Sequence, residues 1–133
     1  MVKTIRIKNK TSNYLIKIGN GSFYRLFNDL KRLKSKKYIL IDSKVYKNIK
    51  PNFDKIKDNN VCLIKINCSE KIKSFDTYKE LIIKLLNNKI NRSSIIISIG
   101  GGTLGDLSGF VASTILRGVK LILIPTTLLS QVD

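Results

Sequence analysis

The feature of this sequence that most limits its fold is a glycine cluster, GGGTLGD at residues 100–106, which follows an apolar run and precedes a helical pattern. Gly100, Gly102 and Gly105 match G-x-G-x-x-G, a pattern of dinucleotide-binding loops between a strand and a helix. Glycine suits such a loop because it allows positive φ in a tight turn and lets the backbone approach a pyrophosphate. Free N–H groups at the helix start also attract anions. The cluster therefore predicts a strand–loop–helix unit that binds a dinucleotide, with tight packing alone as the alternative.

Apolar patterns on either side of this cluster predict alternating strands and helices. Period-two alternation around a polar turn predicts an antiparallel hairpin at residues 4–8 and 14–18. Short apolar runs predict four further strands, at residues 38–41, 61–67, 95–97 and 121–124. Apolar residues at helical spacing predict helices at residues 22–33, 77–89 and 107–116. This order is typical of a Rossmann-like α/β domain with a mostly parallel sheet and an N-terminal β-hairpin.

Two segments of this pattern carry more specific expectations. The helix at residues 77–89 shows one apolar stripe, formed by Tyr78, Leu81, Ile82, Leu85 and Leu86. Residues 43–60 are polar and allow no assignment, although we expect Pro51 to break any helix that precedes it.

The length and composition are those of one globular domain, with 133 residues of which 43% are hydrophobic. No apolar run approaches the roughly 18 residues of a membrane span, and the N-terminus lacks a signal-peptide pattern. We therefore expect no membrane contact and a cytoplasmic location. Cys62 and Cys68 would lie roughly 20 Å apart on an extended chain, too far for a disulfide, so we expect free thiols.

The formal charge of +16 raises the possibility of a nucleic-acid partner. Residues 1–92 carry 23 basic and 7 acidic side chains, whereas residues 93–133 carry two of each. Lysine supplies 20 of the 25 cationic residues, scattered among asparagine and isoleucine rather than interleaved with aromatic side chains. This distribution favours a solvated surface, so we expect no nucleic-acid binding.

The acidic residues near the loop depart from the usual dinucleotide-binding order. A Rossmann domain places an acid about 20 residues after its glycine loop to hold a ribose. Here that position reads Pro125-Thr126-Thr127, and the acidic residue at a strand end is the earlier Asp42. Asp106 would repel a phosphate at the loop, so it is expected either to cap the helix or to bind a hydroxyl group.

Three segments together carry a resemblance to a known family. They read GGGTLGDLSGFVA at residues 100–112, LRG at residues 116–118 and IPTTLLSQVD at residues 124–133. They resemble the signature of the dehydroquinate synthases, a family of sugar-phosphate cyclases. The glycine block alone is shared with glycerol and iron-type alcohol dehydrogenases. The Arg117-Gly118 pair and the last segment narrow the match to the sugar-phosphate cyclases. The resemblance is dense over residues 94–133 and thinner before them.

The resemblance implies NAD as the cofactor and identifies residues that would bind it. Glu70 and Lys73 match a glutamate and a lysine that contact NAD in the family, although Cys68 and Ser69 stand where the family has Asp-Gly. Asp42 matches the residue that faces the adenosine ribose. The other implied cofactor-binding residues are Lys44, Gly101, Gly102, Thr103, Leu104, Gly105, Asp106, Thr126, Thr127 and Leu129.

The resemblance also implies two substrate-binding residues and a homodimer. Arg117 matches an arginine that reaches the substrate phosphate bound in the neighbouring subunit, and a guanidinium suits this contact because its donors bind two oxygens at once. Asp133 matches an aspartate that contacts the substrate.

The implied activity is 3-dehydroquinate synthesis, a step of chorismate and aromatic amino-acid biosynthesis. In the family, NAD transiently oxidises a ring hydroxyl so that phosphate can leave, the hydride returns, and the ring closes by an aldol step. A zinc ion, or another divalent metal such as cobalt, assists from a helical C-terminal domain, held by one glutamate and two histidines. This sequence has no histidine, so we expect residues 1–133 to be an incomplete NAD-binding domain that is inactive alone.

Three alternatives remain open on the sequence. The first is another sugar-phosphate cyclase, and the second is a glycerol or polyol dehydrogenase whose net reaction is hydride transfer. The third is a basic nucleic-acid-binding module, which steep salt dependence of DNA binding without NAD affinity would favour.

Overall fold

The computed structural model describes residues 1–53 and 59–132, and the side chains of residues 50–53 lie outside the described part. The chain divides into two compact units, Met1–Leu33 and Lys34–Asp133. Among the described residues, no helix is both long enough and apolar enough to cross a bilayer.

The first unit is the predicted hairpin followed by a helix. Its elements are β1 (Lys3–Lys8), β2 (Asn13–Ile18) and α1 (Ser22–Lys31). The two strands pair antiparallel. Asn9 shapes the turn because its side-chain oxygen accepts hydrogen bonds from the backbone N–H groups of Thr11 (3.0 Å) and Ser12 (2.6 Å).

The second unit alternates strands and helices, as predicted. Its strands are β3 (Lys37–Asp42), β4 (Val61–Ile66), β5 (Ile95–Gly100) and β6 (Lys120–Pro125). Its helices are α2 (Ser43–Phe53), α3 (Phe75–Asn87), α4 (Gly102–Thr114) and α5 (Leu128–Val132). Short 3-10 turns lie at Glu70–Ile72 and Ile115–Arg117.

The four strands form one parallel sheet in the order β4-β3-β5-β6. The chain passes outward from β3 to β4 and then returns to the other side of β3 with β5 and β6. The winding direction therefore reverses between β3 and β5. In open α/β sheets, ligands bind outside the carboxyl ends of the strands at such a switch point. Asp42 ends β3 and Gly100 ends β5, so these two residues flank it.

The core joins α3 and α4 to the sheet. Its buried members are Tyr38, Leu40, Ile64, Ile72, Leu81, Leu85, Ile90, Ile96, Leu104, Leu107, Val111, Ala112 and Ile115. Every residue of β5 is buried, which explains the apolar run at its first three residues, 95–97. The polar pair inside is satisfied, because the Ser108 hydroxyl donates to the Ser98 hydroxyl at 3.0 Å.

Three predictions of helix detail are wrong. Leu86 is 46% exposed, because the face of α3 that enters the core centres on Leu81 and Leu85. Helix α2 continues past Pro51 to Phe53, since the φ of proline is compatible with a helix and only one N–H is lost near the end. Helix α4 begins at Gly102 rather than at residue 107, because burial of its apolar side chains outweighs the low helix propensity of glycine.

Candidate functional site

The glycine loop connects β5 to α4 through extended backbone. Gly101 has φ −79° and ψ −174°, and no glycine of the loop has positive φ, so that part of the prediction is wrong. Glycine is needed for space instead. A Cβ on Gly100 would lie 2.9 Å from Cδ2 of Leu104 and 3.6 Å from Cβ of Asp42, and a Cβ on Gly101 would lie 3.1 Å from Cγ2 of Thr127. The loop is therefore packed tightly beside the residues that end β3 and follow β6.

The start of α4 offers free backbone donors. The first hydrogen bond of the helix runs from the N–H of Gly105 to the carbonyl of Gly101 at 3.1 Å. The N–H groups of Gly102, Thr103 and Leu104 precede it and have no acceptor within the helix. A Cβ on Gly102 would meet no described atom within 4 Å, so packing inside this chain does not explain the glycine. Open backbone at a helix N-terminus is suited to bind an anionic group.

Asp42 lies across the switch point from this loop. Its Oδ1 accepts the N–H of Lys44 at 2.8 Å. This hydrogen bond caps the first turn of α2, so the carboxylate has a structural role even without a ligand. The Cys68 thiol faces the same carboxylate. Burial, and then the charge and hydrogen bond of Asp42, raise the pKa of Cys68 to about 12, so the thiol stays protonated. The side chain of Lys44 is exposed.

Four of the predicted cofactor-binding residues form one polar cluster, made of the exposed Glu70, Lys73 and Asp106 and the half-buried Thr103. The Thr103 hydroxyl donates to Oε1 of Glu70 at 2.6 Å. The Lys73 ammonium lies 2.9 Å from Oδ2 of Asp106 and 3.5 Å from Oε2 of Glu70. The fold therefore joins the segment before α3 to the first turns of α4. Asp106 does not cap the helix, since Gly101 occupies the N-cap position.

The charges of this cluster support one another. The hydrogen bond from Thr103, followed by the charge of Lys73, lowers the pKa of Glu70. The hydrogen bond to Asp106 is the largest cause that raises the pKa of Lys73. Both groups are therefore charged near neutral pH. Because these side chains are exposed, their ion pairs are screened by water and add little to stability.

We predict that Thr103→Val raises the pKa of Glu70 toward its ordinary value of 4.5, since valine keeps the shape of threonine but removes the donor. Thr103→Ser, which keeps the hydroxyl, should leave the pKa low. Carbon-13 NMR titration of the Glu70 carboxyl measures both. The stabilisation from this carboxylate should be complete above its ordinary pKa and lost as pH falls through the depressed value. Equal pKa values in the wild type and Thr103→Val would contradict the assignment.

The predicted residues after β6 border the loop from the other side. The N–H of Thr126 donates to the carbonyl of Gly100 at 2.9 Å. The Thr127 and Ser130 hydroxyls lie 2.8 Å apart at the start of α5. Leu129 is 72% exposed. The structure thus brings Thr126 and Thr127 against the loop and leaves the Leu129 side chain open to solvent.

Arg117 lies apart from these groups. It follows the far end of α4, a 13-residue helix that is about 20 Å long at 1.5 Å per residue. Its side chain is exposed, and among the ion pairs of the described residues none involves it. Within this chain, Arg117 is therefore not part of the site at the switch point. Asp133 lies outside the described residues.

Two contacts involve residues to which the sequence analysis gives no role in a site, Cys68 and Arg92. Cys68 follows β4 by two residues, and the register that pairs Ile66 with Asp42 is the signal that could have placed it beside that carboxylate. Nε of Arg92 donates to the carbonyl of Leu116 at 3.2 Å, and no sequence pattern indicates this bond. In the described part of the chain, no group of three or more His, Cys, Asp or Glu side chains could hold a metal ion.

Comparison with known proteins gives a consistent family. The family described as 3-dehydroquinate synthase N-terminal matches residues 63–133. The 3-dehydroquinate synthase of Alkaliphilus oremlandii (strain OhILAs) is 47% identical over 97 residues, which cover 72% of this chain and 27% of the relative. That of Buchnera aphidicola subsp. Cinara cedri is 40% identical over 138 residues, covering 100% of this chain and 37% of the relative. The chain thus spans about a third of the length of such relatives.

Solved structures share the fold. A 2-deoxy-scyllo-inosose synthase complexed with carbaglucose-6-phosphate, NAD+ and Co2+ superposes with a TM-score of 0.82 at 26% identity, covering 98% of this chain and 36% of that one. A 2-epi-5-epi-valiolone synthase from Streptomyces hygroscopicus subsp. jinggangensis 5008, with NAD+ and Zn2+ bound, superposes with a TM-score of 0.70 at 25% identity, covering 82% and 32%.

Proposed function

The chain belongs to the 3-dehydroquinate synthase family, and we propose that it forms the NAD-binding part of an enzyme that converts 3-deoxy-D-arabino-heptulosonate 7-phosphate into 3-dehydroquinate and phosphate. The observation that carries this proposal is the pairing of an acid and a glycine loop on opposite sides of the switch point, with Asp42 as the last residue of β3 and Gly100 as the last residue of β5. A ribose and a pyrophosphate are the groups that these two features suit.

The described residues fit NAD. The N–H groups of Gly102, Thr103 and Leu104 would bind the pyrophosphate, and the open space at Gly102 lets the cofactor approach the backbone. The Asp42 carboxylate, whose Oδ1 accepts the N–H of Lys44, has further lone pairs that would accept a ribose hydroxyl. Asp106 is neutralised by Lys73, and its carboxylate suits a hydroxyl better than a phosphate. When bound, NAD would supply a transient oxidation of a ring hydroxyl and its reversal.

The divalent metal of the family would need ligands of its own. The described residues provide no cluster of ligands for it, so we assign no step of the reaction through a metal to this chain. We propose that a divalent ion, zinc or cobalt, is bound by residues outside the described chain, in a full-length homodimer.

The test is phosphate release from 3-deoxy-D-arabino-heptulosonate 7-phosphate by the protein that contains this chain, supplied with NAD and a divalent metal. We expect phosphate and 3-dehydroquinate in equal amounts, no accumulation of NADH, and loss of turnover on chelation that added zinc or cobalt restores. A polyol dehydrogenase would instead accumulate NADH, because its hydride does not return to the product. Phosphate release from glucose 6-phosphate, with none from 3-deoxy-D-arabino-heptulosonate 7-phosphate, would point to a cyclase like 2-deoxy-scyllo-inosose synthase. Either result would overturn the proposed substrate.

A further inference from the structure

The segment that follows α4 has an unusual backbone. Leu116 has φ 52° and ψ 28°, and Arg117 and Gly118 have φ values of 69° and 103°. Glycine adopts positive φ freely, but leucine and arginine do so only against the steric clash of their Cβ atoms. Strain of this kind persists only where neighbouring groups hold it. The direction of the Arg117 side chain therefore depends on what stabilises this left-handed turn.

Three hydrogen bonds hold the turn. Two are between backbone groups, from the N–H of Gly118 to the carbonyl of Ile115 at 2.8 Å and from the N–H of Val119 to the carbonyl of Ala112 at 2.9 Å. The third comes from outside the segment, where Nε of Arg92 donates to the carbonyl of Leu116 at 3.2 Å. This bond is made to the carbonyl of Leu116, the first residue of the turn with positive φ. Leu116 directly precedes Arg117.

Arg92 is itself anchored by the turn before β5. The Asn91 side-chain oxygen accepts the N–H of Ser93 at 3.0 Å and the hydroxyl of Ser94 at 3.1 Å. The hydroxyl of Ser94 in turn accepts the N–H of Asn91 at 3.0 Å. Ser94 is fully buried, so these hydrogen bonds fix the backbone on both sides of Arg92 to the start of β5.

We propose that Arg92 is a positioning residue that stabilises the left-handed turn at Leu116 and Arg117 and so directs the Arg117 guanidinium toward the substrate phosphate. This inference rests on the proposed function for its substrate, but the backbone effect does not depend on that function. Arg92 acts through Nε, the donor on the carbonyl, and contacts no substrate. Its role is thus distinct from that of a second phosphate-binding cation.

Three variants separate these roles in the protein that contains this chain. Arg92→Ala removes the donor. Arg92→Gln removes the charge but keeps an N–H donor at the same distance along the side chain. Arg92→Ala combined with Leu116→Asn removes the donor but substitutes a residue that adopts the left-handed region more readily than leucine. Leu116→Asn alone is the control, and Leu116 is 36% exposed, so little apolar burial is lost.

Crystal structures of these variants test the effect on the backbone without a measurement of enzyme activity. We expect Leu116 and Arg117 to leave the left-handed region, or to lose ordered density, in Arg92→Ala and to keep positive φ in the other three variants. Unchanged φ values in Arg92→Ala would overturn the proposal whether or not the protein is a synthase.

Kinetics give the functional result. Arg92→Ala should raise KM for the sugar phosphate about fivefold, the loss of one hydrogen bond, with NAD affinity unchanged. Arg92→Gln and the Arg92→Ala, Leu116→Asn double variant should stay close to the wild type. If Arg92→Gln is as impaired as Arg92→Ala, or the double variant is not rescued, Arg92 binds the phosphate by its charge and the proposal fails. Absence of synthase activity in the wild type would overturn the proposed function and leave the crystallographic result to decide this inference.

Discussion

Gly102→Val is expected to abolish NAD binding while leaving the fold intact. The backbone at Gly102 is open, because a Cβ there would meet no described atom within 4 Å, so we expect the chain itself to tolerate valine. The same branched side chain would occupy the space through which a pyrophosphate approaches the helix N-terminus. Losing two of the three hydrogen bonds proposed for the pyrophosphate, at about 1.5 kcal/mol or more each, corresponds to a roughly hundredfold or greater loss of affinity.

A matched control lies in the same helix. A Cβ on Gly109 also meets no described atom within 4 Å, so Gly109→Val makes the same chemical change away from the loop. Calorimetry with NAD should show binding to Gly109→Val and none to Gly102→Val, with similar circular dichroism spectra for both. Binding by Gly102→Val at wild-type affinity would remove the cofactor assignment, and equal losses in both variants would attribute the effect to helix damage.

The two inner strands of the sheet, β3 and β5, could be predicted because they are buried between neighbouring strands. The side chains of β5 lie between neighbours on all sides, so Ile95, Ile96 and Ile97 form an apolar run that no polar position interrupts. The start of α4 could not be predicted in the same way. Its first residues are glycines, and only the burial of Leu104 and Leu107 in the folded core makes them helical.

The order of strands explains why the acid precedes the glycines. In the usual Rossmann order the glycine loop follows the first strand, whereas here the first strand of the sheet, β3, ends in Asp42 and the loop follows β5. Both strands border the same switch point, so the same two groups meet in the opposite order along the chain. The sequence identifies Asp42 as the acidic residue at a strand end, but only the strand order shows that it borders the same switch point as the glycine loop.

The contacts of the polar cluster were beyond prediction from pattern. Lys73 and Asp106 are exposed, so they leave no periodic signal, and their pairing arises only because the turn at Glu70–Ile72 packs beside α4. The resemblance to the family identified both residues separately without indicating their contact. The left-handed backbone at Leu116 was likewise hidden, since leucine is not a residue type that predicts positive φ.

If the protein that contains this chain has the proposed synthase activity, we expect Arg117→Ala to weaken substrate binding and slow turnover while sparing NAD affinity. Arg117 lies beyond the opposite end of α4 from the glycine loop and is exposed, so its loss should not disturb the proposed cofactor site. A charge-assisted phosphate contact is worth about 1.5–3 kcal/mol, which corresponds to a roughly tenfold to hundredfold fall in kcat/KM. Arg32→Ala, the loss of an exposed arginine in the first unit, is the matched control and should leave kcat/KM unchanged.

A mixing experiment tests whether Arg117 serves the neighbouring subunit. In the homodimer proposed above, subunit exchange between Arg117→Ala and a variant disabled at the proposed metal site would give a heterodimer with one site that has both defects and one site that has neither. Part of the wild-type activity should therefore return, although each parent is impaired. The two variants carry different affinity tags, so that double purification isolates the heterodimer. Activity in that heterodimer no greater than the sum of the parents would show that Arg117 acts within its own subunit.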